Sequence, residues 1–335
     1  MSETVLVTGG NGYVGGWCIV ELLRTGYRVR TTLRDLGKAE KLRGIIAASG
    51  EDTTKLEFAA VDLMRDAGWP EALAGCSFVL HVASPLGGGA KLDRDALVAP
   101  ARDGTLRVLR FAKQAGIRRV VMTSAAAAAR SPLASGRVSD ETVWADPDDP
   151  QFDAYRRSKI LAERAAWDFM RREGQGMELV TILPGAVFGP VLSADNLGSV
   201  DIIKGLVEGR PPAMPRLGFW VVDVRDLAQL HVRALSQPEA AGQRYIAAGE
   251  FLWMEEMAAR LRYRLGARGT KISRRRLPTW LVRLLLPFMP NLRTLAPLLG
   301  KKFELSTAKA RRELDFTPRP ASDTLFDCAE SLVAK

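Results

Sequence analysis

The stretch TGGNGYVG, residues 8–15, constrains the chain more than any other. Glycines recur there at Gly9, Gly12 and Gly15, between an apolar run and an amphipathic one. TVLVTG (4–9) reads as a strand, and YVGGWCIVELLRTG as the helix after it, stopped at Gly26. Gly9 permits a sharp exit from the strand, Gly12 lets another group approach the backbone, and Gly15 lets the helix pack closely on the strand. A strand that runs straight into a helix needs a parallel neighbour to which the chain can return.

The following sequence supplies such neighbours. YRVRTTLR (27–34), KLEFAAVDL, CSFVLHVAS, RRVVMTS and MELVTILPGAVFGP read as strands. Between them lie the helical patterns KAEKLRGIIAAS, AGWPEALAG, DGTLRVLRFAKQAG and FDAYRRSKILAERAAWDFMRREG. This alternation predicts an α/β fold, a Rossmann-type doubly wound parallel sheet. One stretch is at odds with itself. The five alanines of TSAAAAAR (123–130) favour a helix, yet they extend an apolar β-type run. Beyond residue 190 the rhythm loosens: GRPPAMPRLG is turn-rich, FWVVDV a short strand, and GQRYIAAG another. Asp226 is expected to cap the helix LAQLHVRAL. Residues 250–303 read as mainly helical, broken at prolines 278, 287, 290 and 297.

Composition narrows the function. A net charge of +10 is scattered along helices, and its densest cluster, Arg260–Arg276, reads as a solvated face rather than a nucleic-acid site. Three lone cysteines (Cys18, Cys76, Cys328) form no framework and fit a reduced, cytoplasmic compartment. Two histidines, His81 and His231, exclude a His-rich metal site, and no metal is expected. His81 reads as a satisfied buried histidine, not a catalyst. The start MSETVLVTGG carries no signal-peptide pattern. In LPTWLVRLLLPFMPNLRTLAPLLG (277–300) Arg283, Arg293 and the prolines deny the ~20 apolar residues of a membrane span; the stretch reads as a wall over a pocket, with an interfacial helix as the alternative.

A glycine turn opening the first helix of a βαβ series is a cradle for a dinucleotide pyrophosphate. Residues 1–190 are therefore expected to form the nucleotide-binding domain. Residues 191–335 would form a smaller, mainly helical substrate lobe, with 219–248 returning to the main sheet. Asp35, 20 residues after Gly15, has the spacing of a carboxylate that grips the ribose of NAD. Arg34 precedes it, with Lys38 and Lys41 behind, and a guanidinium binds a 2′-phosphate that a carboxylate repels. NADPH is the expected cofactor. Asp62-Leu63 and Val82-Ala83-Ser84 close the next two strands, where adenine and ribose would lie. AYRRSK sets Tyr155 and Lys159 one helical turn apart, so that a phenol can exchange a proton with a substrate oxygen beside an ammonium.

TGGNGYVGGW, VRTTLRD, LHVASP, RRVVMTS, YRRSKILAERAAW, VTILPGAVFGP, VVDVRDLAQLHVRAL and LSTAKARRELDFTPRP follow one another over nearly all 335 residues. In that order they resemble the extended short-chain dehydrogenases/reductases. The chain resembles the subgroup that includes plant dihydroflavonol and cinnamoyl-CoA reductases and bacterial aldehyde or ketone reductases. The resemblance implies Tyr155 as proton donor and Lys159 as ribose ligand that lowers the phenol's pKa. It implies Gly9, Gly12, Tyr13 and Val14 at the pyrophosphate, and Arg34 and Lys41 at the 2′-phosphate. Asp62 and Leu63 would meet adenine, Val82, Ala83 and Ser84 the ribose and phosphates, and Pro184 and Val187 the nicotinamide.

Two departures stand out. Plant members end the fifth strand TSS, with the second serine catalytic, but here that position is Ala125. The replacement is open between Ser124, Thr123, a water and no group at all. The substrate-binding asparagine of the flavonoid reductases corresponds to Arg130, which would meet an anionic substrate or face solvent. The main expectation is an NADPH-dependent reduction of a small-molecule aldehyde or ketone. A sugar-nucleotide epimerase or dehydratase and a non-catalytic NADP(H)-binding redox sensor are the alternatives. No nucleic-acid partner is expected, and the long helices could support a homodimer.

Overall fold

A computed structural model describes residues 3–84, 93, 95–193, 197–285 and 296–333. Among the described residues twelve strands are formed: β1 Thr4–Thr8, β2 Arg28–Leu33, β3 Leu56–Ala60, β4 Phe78–His81, β5 Arg119–Thr123, β6 Glu178–Pro184, β7 Ala186–Phe188, β8 Met214–Pro215, β9 Gly218–Asp223, β10 Arg244–Ala247, β11 Phe251–Trp253 and β12 Arg276–Leu277. The helices are α1 Tyr13–Arg24, α2 Ala39–Ala47, α3 Trp69–Leu73, α4 Val98–Gln114, α5 Ala154–Glu173, α6 Val200–Val207, α7 Val224–Ser236, α8 Met254–Leu265, α9 Thr279–Leu285, α10 Ala308–Leu314 and α11 Ala321–Val333.

Seven strands make one parallel sheet in the order β3-β2-β1-β4-β5-β6-β10. Its interior strands are apolar on both faces because helices cover both. Val5 and Val7 of β1 lie over α1 and α7, while Leu6 between them faces α4 and α5. The register keeps these faces aligned, Val5 opposite Phe78, Leu6 opposite Val79 and Val7 opposite Leu80. Each such side chain, fully withdrawn from water, contributes roughly 1.5–3 kcal/mol. The order of connection reverses at β1, which lies between β2 and β4, so a crevice opens beyond the carboxyl ends of these strands.

The chain leaves the main sheet at Gly185. β6 ends at Pro184, and β7 pairs with β9 in a second, three-stranded sheet of order β11-β9-β7. This sheet and α6, α8 and α11 enclose a core of their own around Phe188, Ile203, Leu206, Met257, Leu261 and Leu325. Within 219–248, β10 joins the edge of the main sheet and α7 packs against α1. β9 does not return; it belongs to the small sheet. Ala310 and Leu314 of α10 also pack back onto the main core. The cap of α7 is Asp223, whose carboxylate accepts from Arg225 N at 2.9 Å. Asp226 instead lies in the first turn and pairs with Arg319 at 2.7 Å, so its expected capping role passes to the strand end.

The alanine run resolves into both of its tendencies. Ala125 is extended (φ −154°, ψ 149°), and Ala126–Ala129 form one 3₁₀ turn. Ala126, Ala128 and Ala129 are buried in an apolar cluster with Phe152, Ile160, Leu183 and Ile246, and Arg244 donates to Ala128 O at 3.2 Å. Of the stretch 277–300, residues 286–295 lie outside the described residues, as do residues 85–92 and 94. Among the described residues no helix is long and apolar enough to cross a membrane.

Candidate active site

A cavity of about 860 Å³ lies at the carboxyl ends of the strands, between the main sheet and the second lobe. Its floor is the glycine turn. Gly9 adopts φ +75°, and a Cβ there would sit 2.9 Å from Ala83 Cα, so only glycine fits between turn and β4 exit. At Gly15 a Cβ would lie 2.2 Å from Gly9 O. Bare backbone is thus exposed at the glycines of this end of the cavity, which suits the close approach of a pyrophosphate to the N-terminus of α1. Tyr13 and Val14 line it as well. The Tyr13 hydroxyl donates to Gly189 O at 2.9 Å and Trp17 Nε1 to Pro190 O at 2.8 Å, tying α1 to the loop after β7.

At the exit of β2, Arg34, Asp35 and Lys38 line the cavity. Asp35 is turned onto its own loop, accepting from Gly37 N at 2.9 Å as the cap of a short 3₁₀ turn. Two cations and one carboxylate, the latter engaged by its own loop, thus stand where the adenosine ribose of a dinucleotide would lie. Lys41 is not in the wall; it stands one turn further along α2, and Lys38 takes the position expected for it. Asp62, Leu63, Val82, Ala83 and Ser84 all line the cavity. Asp62 also accepts from Met64 N at 2.9 Å, which fixes the turn after β3. His81 is buried just below, its Nδ1 2.9 Å from Thr8 Oγ1 and its Nε2 3.2 Å from Thr105 Oγ1. Burial, aided by the Lys159 charge, pushes its pKa down to about 3, so it is a neutral structural ring.

α5 is capped by Asp153, whose carboxylate accepts from Arg156 N at 2.8 Å. Tyr155 in the first turn and Lys159 in the next both line the cavity, as do Pro184 and Val187 across from them. Lys159 is buried and donates to Thr123 O at 2.9 Å. Its burial, partly offset by Glu163 one turn further on, lowers its pKa to about 8. Burial pushes the Tyr155 phenol up to about 12, with Arg156 opposing and Asp153 adding to the shift. The expected lowering of the phenol by Lys159 is not seen: Lys159 is not among the charges acting on the phenol here, and its ammonium donates to the Thr123 carbonyl of β5.

The two candidate hydroxyls are both committed elsewhere. Ser124 Oγ donates to Glu163 Oε2 at 2.6 Å. Thr123 Oγ1 lies 2.8 Å from His231 Nε2, while His231 Nδ1 lies 2.8 Å from Leu227 O. A carbonyl can only accept, so Nδ1 carries the ring proton and Nε2 accepts from Thr123. Burial keeps this ring neutral as well, with a pKa of about 4. Ser124 therefore lines the cavity with its proton turned away, and Ala125 beside it has none to give.

Behind this edge stands a buried network that sequence reasoning missed. Glu163, fully buried, accepts from Ser124, from Thr181 Oγ1 at 2.7 Å and from Arg244 Nε at 2.8 Å. Arg244 spends its remaining donors on the carbonyls of Glu141, Val143 and Ala128. One signal was available: Tyr155, Lys159 and Glu163 recur every fourth residue, hence on one face of α5. The second lobe closes the far end of the cavity with Ile202, Phe219, Trp220, Leu298, Phe303 and Leu305. Trp220 Nε1 donates to Phe303 O at 2.7 Å and locks two of these aromatic walls together.

Residues 5–248 match the NAD dependent epimerase/dehydratase family. The chain belongs to that family. Within it, the chain is 33% identical over 268 residues to a dihydroflavonol 4-reductase of Zea mays, covering 78% of this chain and 74% of that protein. It is 34% identical over 267 residues to cinnamoyl-CoA reductase 1 of Oryza sativa subsp. japonica, covering 78% and 75%. Its fold is similar to that of the yeast methylglyoxal/isovaleraldehyde reductase Gre2 complexed with NADPH, with a TM-score of 0.80 and 25% identity over 99% of this chain and 98% of that one. These relatives are reductases.

Proposed function

We propose that this member of the family is an NADPH-dependent reductase of aldehydes or ketones. The observation that carries this reading is that one cavity contains the glycine turn, Arg34, Tyr155 and Lys159 together. Gly9, Gly12, Tyr13 and Val14 hold the pyrophosphate, and Arg34 and Lys38 the 2′-phosphate. Asp62 and Leu63 meet the adenine, Val82, Ala83 and Ser84 the ribose and phosphates, and Pro184 and Val187 the nicotinamide. NADPH, when bound, supplies a hydride. Tyr155 gives its proton to the carbonyl oxygen, so that a carbonyl, NADPH and a proton become an alcohol and NADP⁺. A donor must start protonated, and the high pKa of the Tyr155 phenol keeps it so. Lys159, one turn away, stabilises the phenolate left behind. Ser124 acts as a positioning residue that anchors the end of β5 to Glu163.

Purified protein mixed with NADPH and a panel of aliphatic and aryl carbonyls is expected to lose absorbance at 340 nm. Tyr155→Phe should lower that rate by at least ~10²-fold, the usual scale for a positioned acid. Equal turnover by the variant would remove Tyr155 as donor. The commitment of both nearby hydroxyls favours one second reading, a protein that binds NADP(H) and does little chemistry. Tight cofactor binding by calorimetry with no carbonyl reduced would select it.

A further inference from the structure

Three arginines are buried among the described residues: Arg119, Arg130 and Arg244, at 6%, 4% and 6% exposure. Two of them are fully engaged. Arg119 pairs with Glu178 at 2.6 Å and donates to the carbonyls of Ala234 and Gln237. Arg244 pairs with Glu163 and three carbonyls, as above. Arg130 differs. Its guanidinium carbon lies 4.2 Å from the centre of the Phe152 ring and 5.9 Å from that of Phe303, and its Nη2 has no hydrogen-bond partner. It lines the active-site cavity, so the alternative that it faces solvent does not hold.

The neighbouring charges do not meet its need. The fields of Asp149 and Asp153 reach Arg130, but neither carboxylate bonds Nη2. Asp153 is spent on Arg156, through its backbone N at 2.8 Å and its Nη1 at 2.5 Å. Arg156 also lines the cavity, and its charge adds to that of Arg130. A buried N–H of a charged group left unpaired is costly, and ring faces satisfy the face of a guanidinium but not its in-plane donors. Arg130 lines the cavity and its Nη2 is unpaired, so a carboxylate entering beside Phe152 would bring the missing acceptor to a guanidinium whose planar donor set matches it.

This anion site is not the one for the cofactor's 2′-phosphate. Arg34 follows β2 and Arg130 follows β5, with β1 and β4 between them. Three strand spacings separate the two, ~14 Å at about 4.8 Å each. Arg130 instead stands with the aromatic wall of the second lobe, where the body of a substrate would lie.

We propose that Arg130 binds a carboxylate on the substrate, and that the preferred substrates are oxo acids whose body between carbonyl and carboxylate is apolar. The inference rests on the reductase reading and deepens it: the carbonyl is reduced to a hydroxy acid, and the carboxylate is left unchanged.

The test uses 4-oxo-4-phenylbutanoate and its methyl ester as matched substrates with NADPH, and 4-phenylbutanoate as a non-reducible probe for calorimetry on the NADP⁺-loaded protein. The wild type is expected to favour the acid over the ester by tenfold or more in kcat/KM. Arg130→Met should bring that ratio near one and weaken probe binding at least tenfold, with Arg130→Lys in between. A wild-type ratio of one or less, or an unchanged ratio and unchanged probe affinity in Arg130→Met, overturns the proposal. Should Arg130→Met not fold, the wild-type ratio and the Arg130→Lys affinity decide. Probe binding that depends on Arg130 without turnover of either substrate would leave the carboxylate site standing and remove the reductase reading. Equal turnover of acid and ester would do the reverse.

Discussion

Restoring a serine at position 125 asks whether the active site is short of one donor. The Ala125 backbone is extended, so a serine is accommodated there without strain, and the side chain faces the cavity. At present a substrate oxygen would find one side-chain proton near this edge, that of Tyr155. The Ser124 proton goes to Glu163 at 2.6 Å and that of Thr123 to His231 at 2.8 Å. A second, well-aligned donor to a developing oxyanion contributes about 2.7–4 kcal/mol, or 10²–10³ in rate. Part of that is lost in fixing a rotamer and desolvating a hydroxyl. Ala125→Ser is therefore expected to speed single-turnover NADPH oxidation at least tenfold, equivalent to about 1.4 kcal/mol. Stopped-flow absorbance with enzyme in excess reads the step free of product release. The paired control is Ser124→Ala, which removes a hydrogen bond to a buried carboxylate. It should lower stability by about 1.5–3 kcal/mol while changing the rate by less than tenfold. The reverse pattern, with Ser124→Ala slowing the reaction 10²-fold and Ala125→Ser doing nothing, would mean that Ser124 turns into the pocket and supplies the second donor.

Other perturbations test the frame behind the site. Glu163→Leu leaves the Arg244 charge buried without its partner and should cost about 3–5 kcal/mol in urea unfolding, whereas Glu163→Leu combined with Arg244→Met should recover much of the loss. A double variant less stable than the single one would contradict this. His81 and His231 stay neutral when folded, with pKa values of about 3 and 4, but take up protons near pH 6.5 when unfolded. The unfolded state thus binds more protons between those values, and stability must fall as pH drops. The limiting slope is about 2.7 kcal/mol per pH unit for two protons, and a flat urea midpoint from pH 6.5 to 5 would refute it.

Much of the frame was legible because it rests on local patterns. A glycine turn between strand and helix, apolar strands and a Tyr–Lys pair one turn apart each have a short-range cause. The pocket therefore contains the expected Gly9, Arg34, Asp62, Ala83, Tyr155, Lys159 and Val187. What sequence could not reveal depends on partners far along the chain. The Ser124 hydroxyl is taken by a carboxylate 39 residues away, that of Thr123 by a ring 108 residues away. Asp223 rather than Asp226 caps α7 because β9 ends there, and Lys38 rather than Lys41 reaches the cavity because of the 3₁₀ turn after β2. A strand that defects to a second sheet at Gly185 is likewise a matter of pairing, which an apolar run does not specify.

The most direct test of hydride delivery to a carbonyl is isotopic. The protein is incubated with NADPH dideuterated at the nicotinamide C4 and 4-oxo-4-phenylbutanoate or a neutral aryl ketone, and the products are read by mass spectrometry and NMR. The account predicts an alcohol with one deuterium on the carbinol carbon and one equivalent of NADP⁺ formed. No alcohol at all, or an alcohol without deuterium on that carbon, would contradict it.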